Sequence, residues 1–164
     1  MATKAAISLE EHLRTPYERE PEYVDGMLEE RPFGTIKHGE LQSRIAAALR
    51  RVGFRTVGSE ITILIAPAKT RIPAVIAYVE KRREAHPSVP PFVAVEIFSP
   101  GDSVDRVSNK LEEYAQFGVR HLWLVAPETE KLFVYSVGVL VPVDEFQVPE
   151  LDAIFTAREL FDDL

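Results

Sequence analysis

Two residue types placed where folding alone would not put them open the reading: Glu96 and Lys110. The run FVAVEIF, residues 92–98, is apolar except for Glu96. An ionised carboxylate inside such a strand costs several kcal/mol unless something compensates it. Solvent on a twisted strand, a paired Arg or Lys, or a divalent cation would each do so, since hard carboxylate oxygen suits Mg²⁺. Glu96 falls near the end of its strand, just before Ser99-Pro100-Gly101. In open α/β sheets ligands collect at that edge. Lys110 lies three residues after Val107 and four before Tyr114, which places it on or beside the apolar stripe of a helix. A Lys there either snorkels outward or reaches a polar site at the sheet edge. The helix follows the Glu96 strand directly, so the two side chains are able to meet. A structural Glu–Lys pair and a hydrolytic site are both compatible with that spacing.

These residues need elements to hold them. GDSVDRVSNKLEEYAQFGV predicts an amphipathic helix over 103–117, with Val104, Val107, Leu111, Tyr114 and Phe117 as its buried stripe and Gly118 as its C-cap. Strands are expected in FRTVG, in EITILIAP with Ile61, Ile63 and Ile65 on one face, in RIPAVIAYV, in FVAVEIF, in RHLWLVAP and in KLFVYSV. PETE reads as a tight turn between the last two. The unit 92–98, 103–117, 120–126 reads as a right-handed crossover between parallel strands. Upstream, Ser8 with Glu11 three residues later is a capping box for a short helix. Asp25-Gly26 between short apolar stretches signals a hairpin. His38 to Val52 reads as a helix stopped by Gly53, and the tail FTARELFDDL holds one helical turn. The fold class is therefore α/β (α+β), a mixed β-sheet flanked by helices. No repeat or linker divides residues 1–164, which read as one domain.

Composition narrows the chemistry. The 164 residues are 46% hydrophobic and 27% charged, as in an ordinary globular protein. No Cys is present, so thiol catalysis, disulfides and Cys–zinc sites are excluded, and a reducing, cytoplasmic setting is compatible. The N-terminus does not read as a secretory signal, and no apolar run is long enough to span a membrane. A net charge of −7 argues against charge-driven coating of nucleic acid, though not against a local basic groove. The basic cluster EKRREAH, residues 80–86, reads as a solvated loop. Asp102 and Asp105 favour the positive start of a helix, and Trp123 and Tyr114 read as core. His38 is open to three roles: metal ligand, proton shuttle, or a helix-start His satisfied by a hydrogen bond. Glu22, in a hairpin, reads by default as facing solvent.

The combination VEIFSP…NKLEEYAQFGVRHLWLVAP resembles the strand–loop–helix–strand core of the Uma-two family of restriction-endonuclease-like proteins, within the PD-(D/E)xK nuclease superfamily. The matching positions are Val95, Glu96, Ser99, Pro100, Lys110, Leu111, Tyr114, Gly118, Val119 and Trp123. The hairpin residues Glu22, Asp25, Gly26 and Leu28 match its Glu-x-x-Asp-Gly-x-Leu pattern, and His38 sits where the family has a His opening its first long helix. The resemblance spans about residues 17 to 160. It implies a restriction-endonuclease-like fold and metal-dependent hydrolysis of DNA phosphodiesters. It further implies Mg²⁺ or Mn²⁺ held by Glu96 and an Asp after Pro, with Lys110 orienting water and offsetting charge. It makes Glu22 a candidate active-site acid.

One position departs from that pattern. The Pro-Asp element aligns with Pro73-Ala74, so the metal-binding Asp is replaced by Ala74. A methyl group cannot ligate Mg²⁺. The chain is then a catalytically silent relative, or one rescued by a nearby carboxylate such as Glu22 or Glu40, or one in which Ala74 is an introduced change. The expected activity is an impaired metal-dependent DNA endonuclease. The alternatives are a non-cleaving nucleic-acid-binding protein and an interaction protein using the fold as scaffold. DNA and a second copy of the chain, as a homodimer, are the expected partners; a membrane is not.

Overall fold

The computed structural model describes residues 7–164. The expectation about a secretory signal falls partly on residues 1–6, outside the described residues. The described chain opens with α1 (Leu9–Arg14), capped by Ser8, whose side chain accepts from the Glu11 N–H. The hairpin follows as β1 (Glu22–Val24) and β2 (Met27–Glu29). Asp25 and Gly26 both take positive φ, 48° and 86°, as a tight two-residue hairpin turn demands. Helix α2 (Ile36–Arg51) begins two residues before the expected His38, because the Thr35 side chain caps it by accepting from the His38 N–H. His38 is thus inside the first turn.

Three strands then contribute to two sheets. They are β3 (Thr56–Ser59), β4 (Ile63–Ala66) and β5 (Lys69–Arg71). Of the expected Ile61, Ile63 and Ile65 face, Ile61 precedes the strand and Ile63 alone is fully buried. The run RIPAVIAYV is not one strand. It ends β5 at Arg71 and begins β6 (Val75–Tyr78) after Pro73. Proline has no N–H for a ladder, so it marks the passage from one sheet to the other.

Next come β7 (Val93–Ile97), α3 (Val104–Phe117) and β8 (His121–Ala126). Strands β7 and β8 are parallel, with Glu96 level with Leu124. PETE forms a single 3₁₀ turn, Pro127–Thr129. The antiparallel strands β9 (Lys131–Ser136) and β10 (Val139–Val143) follow. A small hairpin of β11 (Glu145–Val148) and β12 (Ala153–Thr156) precedes α4 (Ala157–Phe161), the one helical turn expected in the tail.

The main sheet has the order β10-β9-β8-β7-β6-β3, and a second sheet has the order β2-β1-β5-β4. Side-chain alternation divides the main sheet into two apolar faces. Val93, Val95 and Ile97 pack with Leu41, Ile45 and Leu49 of α2 and with Phe146 and Phe155. Trp123 joins that cluster, stacked on Phe146 at 4.3 Å between ring centroids. Ala94 points the other way, to Val107, Leu111 and Tyr114 of α3 and Ile63 of β4. Of the expected α3 stripe, Val104 is 62% exposed; it stands at the first helical position. The mixed sheet flanked by helices agrees with the expected fold class. The loop 80–86 is largely exposed, with Arg82 paired to Glu84. Among the described residues no helix is long and apolar enough to cross a membrane.

Candidate active site

Glu96 lies two residues beyond Ala94 on β7, so it shares the face that α3 covers. On α3, Lys110 stands between Val107 and Tyr114 and is held against that face. Their meeting follows: Lys110 Nζ is 3.0 Å from Glu96 Oε1. It is equally 3.0 Å from Glu22 Oε1 of β1. Tyr114, one turn further along α3, donates its hydroxyl to Glu96 Oε1 at 2.7 Å. The Glu96 and Lys110 side chains are each 12% exposed, and Glu22 is completely buried. The default solvent-facing reading of Glu22 fails because the second sheet packs β1 against the site instead of leaving it open.

A second group of charges stands behind the first. Arg71 Nη1 bonds Glu22 Oε2 and Glu29 Oε2, each at 3.0 Å. Its Nε and Nη2 form a fork on Glu113 of α3, at 2.6 and 3.1 Å. Lys69 adds a 3.0 Å bond to the same carboxylate. The Ile72 N–H donates to Glu22 Oε1 at 3.0 Å. Every oxygen of Glu22 is therefore engaged.

The electrostatics follow from these contacts. Burial pushes Glu22 upward, but the charges of Lys110 and Arg71 and the Ile72 N–H outweigh it, leaving Glu22 below its usual value. Glu96 goes the other way: burial and the charge of Glu22 raise it, against Lys110 and Tyr114. Burial alone would lower Lys110, yet Glu96 and Glu22 together hold it above its usual value, so it stays an ammonium. Burial and the charge of Glu96 raise Tyr114, which remains a hydroxyl donor.

Glu96 and Lys110 open onto a cavity of about 50 Å³ that Ala74 also lines. Continuing the β6–β7 register, in which Val75 faces Val95, by one residue sets Ala74 opposite Glu96. Ala74, where the resemblance would put an Asp, thus lines the same cavity as Glu96. His38 and Ser99 form another wall, joined by a 3.0 Å bond from ring Nδ1 to the Ser99 hydroxyl. Burial holds His38 below its usual value, with Arg19 and Arg31 adding to burial and Glu60 and Asp102 opposing it. Asp102 accepts from the Ser99 N–H at 2.9 Å and so fixes the Ser99 turn as well as preceding the helix. Asp105 is exposed in the first turn of α3. Arg19, Arg31 and Arg106 line the cavity as well, with Glu60 paired to Arg31.

Of the expected site residues, Glu96, Lys110, Glu22 and His38 come together. Glu40 does not: it is exposed on α2 and does not line the cavity. Tyr114 was expected as core, and it is buried, but its hydroxyl belongs to the site. Arg71, Glu29 and Glu113 were not anticipated. Their bonds join residues more than 40 positions apart, which spacing cannot reveal; only the position of Glu113 beside the α3 stripe hinted at it.

As it stands, this donor set does not fit a divalent cation. Among the described residues no group of three or more His, Cys, Asp or Glu could hold a metal ion. Glu22 is fully engaged, and Glu96 Oε1 already takes Lys110 and Tyr114. One carboxylate oxygen is then left to anchor an ion that is usually held by one or two carboxylates and by substrate phosphate.

The fold has solved counterparts. A crystal structure described as that of "a putative nuclease belonging to DUF820" from Anabaena variabilis superposes with a TM-score of 0.81 at 21% sequence identity. The alignment covers 94% of this chain and 97% of that one. No curated protein matches the chain. A family model described as "Putative restriction endonuclease" matches residues 9–160, and by that match the chain belongs to the Uma2 family.

Proposed function

We propose that this chain is a metal-dependent DNA endonuclease by descent whose cleavage is impaired because Ala74 replaces the aspartate of the Pro-Asp element. The observation that carries this reading is the shared cavity. Ala74, Glu96 and Lys110 line it together, so a carboxylate at position 74 would converge with Glu96 on one ion. Lys110, kept charged between two carboxylates, is placed to offset charge developing on a phosphoryl oxygen. Such a lysine needs no proton transfer to act, and its two partners fix its orientation. The other acids that line the cavity are held elsewhere, Asp102 by the Ser99 N–H and Glu60 by Arg31, so metal affinity and rate both fall.

The deciding experiment is Ala74→Asp, assayed for nicking of supercoiled plasmid with Mn²⁺ and with Mg²⁺. The parent is expected to be inactive or very slow and the substituted chain to cut. Calorimetric titration with Mn²⁺ should detect binding to the substituted chain and little to the parent. If the parent cuts efficiently and Glu96→Ala leaves that rate unchanged, the assignment is wrong.

A second reading has its own observation. The guanidinium groups of Arg19, Arg31 and Arg106 line the cavity whatever occupies position 74. They favour a silent descendant that binds nucleic acid and does not cut it. Salt-dependent DNA binding without cleavage, in parent and Ala74→Asp alike, would select that reading. No DNA binding at any salt would leave an interaction protein, such as a homodimer.

A further inference from the structure

The segment joining β2 to α2, Glu30 to Thr35, carries an aromatic ring that the fold does not use. Phe33 is 85% exposed. Burying such a side chain would stabilise the fold, and here that stabilisation is left unclaimed. The ring is nevertheless held in place. The Arg19 guanidinium lies over it, 4.9 Å from the ring centroid. The same guanidinium donates to the Arg31 carbonyl at 2.8 Å and to the Pro32 carbonyl, which pins the chain just before Phe33. Just after it, Thr35 caps α2. A ring fixed on both sides loses little freedom when something packs on it.

Its neighbours give the occupant's chemistry. Arg19, Arg31 and Pro32 line the cavity that holds Glu96 and Lys110. The ring therefore stands next to a small polar cavity lined by Arg19, Arg31, Arg106 and Lys110 and by the acids Glu60, Glu96 and Asp102. Of these acids, Glu60 is paired with Arg31 and Glu96 with Lys110. A planar group and an anion side by side describe a nucleotide: the base on the aromatic face, the phosphate at the arginines. Bases stack on exposed aromatic rings without regard to sequence. A base within a duplex has both faces covered, so the matching substrate offers an unpaired base, as a single strand, an overhang or an extruded nucleotide does. A second copy of this chain is the weaker candidate for the same ring, because it carries the same −7 charge and brings no phosphate.

We propose that Phe33, backed by Arg19, is a stacking platform for an unpaired nucleobase beside the Glu96–Lys110 cavity, and that this site takes nucleic acid with single-stranded character. The proposal rests on the reading of that cavity as a phosphodiester site. Its test uses the full chain, without divalent metal and at low salt. The probes are a single-stranded DNA oligonucleotide and a blunt duplex of the same length. Phe33→Trp supplies a reporter, since the only native tryptophan, Trp123, is buried. The single strand should quench the introduced indole and the duplex should not. Phe33→Ala should weaken single-strand binding roughly tenfold or more, and duplex binding much less. Arg106→Gln should weaken both alike.

If Phe33→Ala leaves single-strand affinity unchanged while Arg106→Gln lowers it, the platform is refuted and the phosphodiester cavity survives. If neither oligonucleotide binds the parent, both ideas fall together. If Phe33→Ala dissolves a dimer in sedimentation and leaves oligonucleotide binding intact, the ring serves a protein contact and the platform is refuted.

Discussion

Three side chains decide the character of the site: Glu96, Lys110 and Glu22. Two carboxylates meet one ammonium at 3.0 Å each, almost out of water. Removing the ammonium leaves Glu96 with no cation and Glu22 with Arg71 alone. Lys110→Met should therefore cost about 3–5 kcal/mol in urea unfolding at pH 7. Adding Glu22→Gln should recover part of that loss, whereas an independent cost for each change would refute the coupling. The same pair shapes the pH dependence. The folded pKa of Glu96 is raised above the ordinary 4.5, so its contribution is complete below 4.5 and is lost as pH rises through the folded value. The folded pKa values of Glu22 and Glu113 are lowered. Their contributions are present above 4.5 and are lost as pH falls through the folded values. Stability should then peak on the mildly acidic side and decline in both directions. Glu96→Gln should remove the decline toward neutral pH and keep the acid limb, as a series of urea midpoints would show. At this scale the sequence was legible where a residue contradicts its surroundings, as Glu96 does in an apolar strand. It was not legible where a residue suits them. Tyr114 fits an apolar stripe, so nothing in its spacing betrays the hydroxyl bonded to Glu96.

The elements place these groups mainly through the β7–α3–β8 crossover. Helix α3 is bounded by the Ser103 side chain at its start and by Gly118 at its end, where φ is +108°. Both ends can be weakened without touching the site. Ser103→Ala should cost about 1 kcal/mol through the lost cap, and Gly118→Ala about 1–2 kcal/mol because only glycine takes a left-handed φ freely. Lys110 lies in the middle of the helix and is held by two carboxylates. Either change made together with Ala74→Asp should thus lower the denaturation midpoint far more than the nicking rate at 25 °C. An equal loss of both would mean that the helix ends, not the ion pairs, position Lys110. This crossover was legible because its period, its cap residues and its glycine all agree. The run RIPAVIAYV was not, because one hydrophobic stretch supplies strands to two sheets. Only Pro73 marks the break, and periodicity does not say which sheet a strand joins. The hairpin pattern alone left Glu22 facing solvent for the same reason, since it does not say that the sheet holding β1 packs against Lys110; only the resemblance made it a candidate acid.

At the scale of the whole molecule, charge sets what nucleic-acid binding can look like. The chain carries −7 overall, so long-range attraction to a polyanion is absent and any binding is local. Three guanidinium groups line the cavity, those of Arg19, Arg31 and Arg106. Each phosphate neutralised on duplex DNA contributes about −0.9 to the slope of log affinity against log salt. Three contacts then predict a slope of about −3, shallow for a DNA-binding protein. Arg106 donates a single bond, to the Glu30 carbonyl at 2.9 Å, and it is the cavity-lining arginine least tied into the loop that carries Phe33. Arg106→Gln should accordingly lower the slope by about one phosphate without disturbing the fold. The competing basic surface is the loop with Lys81, Arg82 and Arg83, where Arg82 is bound to Glu84 and lies 5.6 Å from the Tyr78 ring centroid. Replacing Lys81 and Arg83 together by Gln should leave slope and affinity unchanged, because that loop does not line the cavity proposed to take phosphate. A slope much steeper than −3, lost with Lys81 and Arg83 but kept in Arg106→Gln, would move the nucleic-acid face to the loop and away from Glu96.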